Sequence, residues 1–152
     1  MATKVTGGGR VTRRGIFDAV DGSLQRLGVD HLDLVQTHWP ARYSPQSNWG
    51  QSLAYRRAGQ RGRSFADAEE ITAAFGELVA SGKIRGYGFC NDNAVGLVSS
   101  AQVAKQLGVA GPCVMQNDFS LINRRIEENG VSEASAPWLY NSGKCVHTFN
   151  SF

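Results

Sequence analysis

QRLGVDHLDLVQTHWP, residues 25–40, carries in miniature the order of the whole chain. Its first part closes a helix. Ile16, Phe17, Val20, Leu24 and Leu27 recur at helical spacing, Thr12 offers an N-cap, and Gly28 can take the left-handed conformation that stops a helix. The spacing predicts a helix over about 13–27. The second part, HLDLVQTH at 31–38, is a strand, since Leu32, Leu34 and Val35 make a short buried run ended by Trp39 and Pro40. His38 is left at its carboxyl end.

The same order recurs downstream. ELVASGKIRGYGFCN, residues 77–91, completes a helix over 67–82, with Ile71, Phe75, Leu78 and Val79 on one face and Gly82 at its stop, and then gives a strand at about 84–89. Val95, Val98, Ala101, Val103, Ala104 and Leu107 mark a third helix ended by Gly108, and PCVMQND at 112–118 is a further strand. Upstream, ATKV at 2–5 is strand-like. Strand and helix therefore alternate from start to finish. Such alternation argues for α/β architecture: parallel strands joined by crossover helices, with ligand sites at the carboxyl ends of the strands. A full eight-unit barrel takes about 250 residues, so 152 residues supply roughly half of one.

That length predicts a single domain. Apolar residues make up 41 % of the chain, which excludes global disorder. No stretch approaches the ~18 apolar residues of a membrane-spanning helix, and MATKVTGGGR lacks the apolar core of an export signal; a soluble protein with no membrane insertion is expected. Lys and Arg number 16 against 13 Asp and Glu, and a net charge of +3 is too small to argue for nucleic acid. The three cysteines, Cys90, Cys113 and Cys145, are far apart and show no CxxC spacing. No disulfide framework and no metal site are expected, and a reducing, cytoplasmic setting fits.

Residues 40–64 lack an apolar period and read as a long loop. Its basic run YRRAGQRGR, 55–63, is flanked by Asp67, Glu69 and Glu70 and reads as a solvated surface. GGGR at 7–10 lacks the GxGxxG spacing of a dinucleotide loop and reads as a turn. The polar residues that converge on one rim are those at the strand ends: Lys4, His38, Cys90 with Asn91, and Gln116 with Asn117.

ATKV, the stretch 16–46, the stretch 69–97 and VMQNDFSLINRR at 114–125 stand in the order and spacing of a known family. The chain resembles the aldo-keto reductase superfamily, in particular its branch of general NADP-dependent oxidoreductases related to potassium-channel β subunits. The similarity covers about residues 2–141. It implies a partial (β/α)8 TIM barrel, about strands 3 to 7, forming one domain over 1–141, with a divergent tail over 142–152 where NSGKCVHTFNSF leaves the family pattern.

The resemblance also implies a chemistry: hydride transfer from NADPH to an aldehyde or ketone. Lys4 matches the lysine that lowers the pKa of a tyrosine general acid, and His38 matches the histidine that orients the carbonyl. An ammonium beside a phenol favours its ionised form, and an imidazole can donate to an oxygen on which negative charge develops. Cys90, Asn91 and Gln116 align with the serine, asparagine and glutamine that hold the nicotinamide carboxamide. Cys90 is the departure, because a thiol hydrogen-bonds more weakly than a hydroxyl.

In the family the tyrosine and its aspartate lie upstream of the lysine, and only Ala2 and Thr3 separate Met1 from Lys4. Neither group is expected in this chain. Tyr43, Tyr55, Tyr87 and Tyr140 match no catalytic position. The implied protein is truncated at both ends and weakly active or inactive, with open strand edges that favour a homo-oligomer or aggregation. A non-catalytic, cofactor-binding or regulatory subunit is the alternative.

Overall fold

The computed structural model describes residues 1–6, 11–41, 67–119, 124–128, 130–135 and 146–150. GGGR, most of the long loop with its basic run, and Tyr43, Tyr55, Tyr140 and Cys145 lie outside the described residues.

The elements run β1 Ala2–Val5, α1 Arg13–Leu27, β2 Leu34–Thr37, α2 Ala68–Ala80, β3 Tyr87–Cys90, α3 Ala94–Leu107, β4 Val114–Asp118, α4 Arg125–Glu128, α5 Val131–Ala134 and β5 Val146–Asn150. All neighbouring strands pair in parallel, in the order β1-β2-β3-β4-β5. Sequential parallel pairing with helical crossovers is the arrangement of a barrel arc. The chain is thus α/β with a TIM-barrel-like sheet. Where a featureless tail was expected, Val146–Asn150 pairs with β4 as a fifth strand.

The three long helices start and stop for local reasons. Thr12 Oγ1 accepts from the Gly15 N–H at 3.1 Å, Asp67 Oδ1 from Glu70 at 2.9 Å, and Asn93 Oδ1 from Gly96 at 3.1 Å. Each such cap stabilises its helix by about 1 kcal/mol. Gly28 and Gly108 close α1 and α3 at φ +67°, a conformation costly for any side chain with a Cβ.

Side chains alternate across a strand, so the sheet has two distinct faces. One face carries Val35, Tyr87, Phe89 and Met115, which pack with Ile16, Val20, Phe75 and Leu78 of the helices into the apolar core. Phe75 of α2 stacks on Tyr87, with ring centroids 4.5 Å apart and planes at 6°. Burying each of these side chains is worth roughly 1.5–3 kcal/mol. The other face carries Lys4, Gln36, Cys90, Gln116 and Asp118, a polar row running across four strands. Gly88 keeps the sheet closed beneath that row, since a Cβ there would sit 2.2 Å from the Val114 carbonyl oxygen.

Candidate active site

The ends of β1 to β4 bring the polar residues together through backbone ladders and three side-chain bonds. The His38 N–H donates to the Val5 carbonyl at 2.8 Å, which continues the β1–β2 ladder past Thr37. Asn91 Nδ2 donates to the His38 carbonyl oxygen at 3.0 Å, and the Asn91 N–H donates to the Gln116 carbonyl at 2.9 Å. His38 is therefore pinned by the strands on both sides of it. Its ring is exposed, tilted against Trp39 with centroids 5.9 Å apart.

Asn91 pays a conformational cost to stand there. Its φ is +57°, the one left-handed non-glycine among the described residues. Asparagine tolerates this region better than most residues, though strain of about 1–2 kcal/mol remains. The bond to the His38 carbonyl offsets that strain.

Lys4 reaches across β2 to the Cys90 sulfur, with Nζ 3.5 Å from Sγ. Asn91 Nδ2 lies 3.6 Å from the same sulfur. Cys90 is buried, and loss of hydration pushes its thiol pKa up. The Lys4 ammonium pulls it down, and the Asp118 carboxylate adds a smaller upward push. Burial wins, so at neutral pH the sulfur is a protonated thiol and a weak acceptor for the ammonium.

Gln116, half-buried, is the register partner of Cys90 on the next strand. Tyr87 lies on the opposite face, where its hydroxyl donates to the Ala110 carbonyl at 3.1 Å and burial raises its pKa far above the phenol range. It is a core residue.

Two residues of the polar row escaped the sequence reading. Gln36, register partner of both Lys4 and Gly88, is buried, and its Nε2 finds no hydrogen-bond partner. Asp118 stands two residues beyond Gln116 and acts on the Cys90 thiol. Period-two alternation back from His38 and on from Gln116 marks both positions.

The sequence model described as Aldo/keto reductase family matches residues 1–137. The chain is 34% identical over 130 residues to an aldo-keto reductase of Babesia bovis, covering 84% of this chain and 46% of that protein. It is 32% identical over 152 residues to Protein tas of Escherichia coli (strain K12), covering 89% of this chain and 40% of the relative. The chain thus spans less than half the length of these curated relatives. Among solved structures, a thermostable aldo-keto reductase in complex with the inhibitor epalrestat superposes with a TM-score of 0.67 at 20% identity, over 96% of this chain and 42% of that one. Among the described residues no helix is long and apolar enough to cross a membrane, and no group of three or more His, Cys, Asp or Glu could hold a metal ion.

Proposed function

The chain belongs to the aldo/keto reductase family, and on that premise we propose that it carries the lysine, histidine and carboxamide-binding part of an NADP(H)-dependent carbonyl reductase site. The observation that supports this is the tie between His38, Asn91 and Gln116 across three neighbouring strands, with Lys4 joined to Cys90 beside them.

A nicotinamide carboxamide offers two N–H donors and one carbonyl acceptor. Asn91 uses its Nδ2 on the His38 carbonyl, which leaves Oδ1 as an acceptor, and Gln116 has both an N–H₂ donor and an acceptor oxygen on the adjacent strand. These residues fit the group. Cys90 adds only a weak contact where a hydroxyl would add a strong one.

NADPH, when bound, supplies a hydride. The protein's part is to place an aldehyde or ketone under His38, whose imidazole can donate to the carbonyl oxygen as charge builds there. Lys4 holds a positive charge at the same rim and favours any neighbouring acid in its ionised form. The described residues place no tyrosine beside Lys4, since Tyr87 packs on the other face. Proton donation is worth about 10²–10⁴-fold, so a site with no such donor beside Lys4 turns over slowly. The free thiols of Cys90 and Cys113 suit a reducing cytoplasm.

The test is NADPH oxidation by the purified chain with a nitrobenzaldehyde. Slow turnover that His38→Ala lowers further supports a carbonyl-reducing site. NADPH binding with no turnover at all supports a non-catalytic, cofactor-binding role instead.

A further inference from the structure

Gln36 lies in β2 beneath the span from Lys4 to Cys90, in register with Lys4 on one side and Gly88 on the other. Gly88 has no side chain, so the next one on that face of β3 belongs to Cys90. Gln36 is 5 % exposed, and its Nε2 donates to nothing. A buried donor left unpaired is costly.

The neighbouring sulfur is short of lone pairs in the same measure. Cys90 is 3 % exposed, and Lys4 Nζ and Asn91 Nδ2 both converge on its Sγ, at 3.5 and 3.6 Å. A thiol accepts weakly. Three donor side chains, Lys4, Gln36 and Asn91, thus flank one poor acceptor. An oxygen atom bonded to the sulfur gives them a strong one.

We propose that Cys90 is a reversible oxidation site that holds a sulfenic acid, with a hydroperoxide as the oxidant. The thiol sulfur attacks one peroxide oxygen, and the S–O bond forms as the O–O bond breaks. Sulfur gives up two electrons, and the other oxygen leaves with the thiol proton as water or an alcohol. Gln36 Nε2 and Lys4 Nζ donate to the new oxygen. The product is neutral, so the Asp118 carboxylate that faces the sulfur does not oppose it.

Oxidation is slow, because burial keeps Cys90 a thiol and the thiolate is the nucleophile. The product nonetheless persists. Cys113 stands three residues before Gln116, the register partner of Cys90. That is about 10 Å along the strand, beyond the ~7 Å Cα limit for a disulfide. A low-molecular-weight thiol reverses the change: two such thiols become a disulfide, the oxygen leaves as water, and Cys90 regains its proton. The nicotinamide takes no part in these steps, so the inference stands apart from the cofactor reading.

The experiment treats the full chain with hydrogen peroxide, removes the excess and maps the cysteine peptides by mass spectrometry. One added oxygen is expected on Cys90, removed by dithiothreitol, with none retained on Cys113. In Gln36→Leu the single-oxygen form decays about tenfold faster, the weight of one hydrogen bond. Lys4→Leu, at an exposed position, shows the same acceleration and serves if Gln36→Leu fails to fold. Thermal melting is the independent readout, since oxidation raises the Tm of the parent and not that of Gln36→Leu. An unmodified Cys90 where Cys113 is oxidised, passage straight to sulfinic or sulfonic acid, a Lys4–Cys90 crosslink, or a lifetime that neither variant changes overturns the inference.

Discussion

The Lys4 ammonium arches over β2 to rest 3.5 Å from the Cys90 sulfur, two strands away. Gln36, the register partner of Lys4, lies in the strand between them. This relationship ties the first and third strands at the rim, and it sets the terms on which the proposed site would hold a nicotinamide.

Replacing that sulfur tests the terms. Cys90→Ser puts a shorter, stronger hydrogen-bonding group beside Lys4 and Asn91. One improved hydrogen bond is worth about 0.5–1.5 kcal/mol, so the NADPH dissociation constant should fall roughly three- to tenfold. Isothermal titration reads the change; unchanged or weaker binding removes Cys90 from the carboxamide pocket.

Alkali should loosen the fold. Burial raises the pKa values of Cys90, Cys113 and Tyr87 above their ordinary values. The unfolded chain therefore loses these protons first, and the stability they contribute is full at neutral pH and declines as pH climbs past the ordinary thiol value of about 8.5. Urea denaturation midpoints at neutral pH and at about pH 10 should differ, and replacing both thiols with alanine should shrink the thiol share of the difference. A flat profile contradicts the burial of these groups.

Asn91 separates backbone strain from binding. Asn91→Gly relieves the left-handed residue but removes the side chain that grips the His38 carbonyl. Asn91→Ala loses the bond and adds about 1 kcal/mol of strain. Thermal melting should rank glycine above alanine, while both variants weaken NADPH binding to a similar degree. Equal melting of the two variants would show that the position is unstrained.

Core and sheet closure should be the costliest to disturb. Phe75→Ala removes the ring stacked on Tyr87 and should cost about 3–5 kcal/mol. Gly88→Ala forces a Cβ onto the Val114 carbonyl oxygen, a backbone clash that no rotamer relieves, and at least about 3 kcal/mol is expected. Denaturant titration measures both; a Gly88→Ala variant as stable as the parent means β3 and β4 do not pair as described.

Much of this was legible in the sequence because local rules and tertiary packing agree. Thr12 and Gly28 bracket α1, whose apolar Ile16, Val20 and Leu24 are buried; along α3 the apolar spacing misses the buried face, since Val95 and Leu107 are exposed while Leu97 and Ser100 are buried. The strand expected at 84–89 is continuous only from Tyr87, since Ile84 makes an isolated bridge to Leu32. α4 and α5 have four residues each, too short to show a period. VHTFN has no uninterrupted apolar run, and only its pairing with β4 makes it a strand. At the rim, Lys4, His38, Asn91 and Gln116 were readable as strand-end residues. The unpaired state of the Gln36 amide was not, because it arises only when β1, β2 and β3 are paired.

The most direct test of the site is a titration of NADPH against intrinsic tryptophan fluorescence, for which Trp39 beside His38 is a built-in reporter. Parent protein should show saturable quenching, Gln116→Ala should weaken it about tenfold, a loss of ~1.4 kcal/mol, and Lys83→Met, whose lysine pairs with Asp21 outside the rim, should leave it unchanged. Quenching that never saturates, or that is as tight in Gln116→Ala as in the parent, contradicts the assignment of this rim to the nicotinamide.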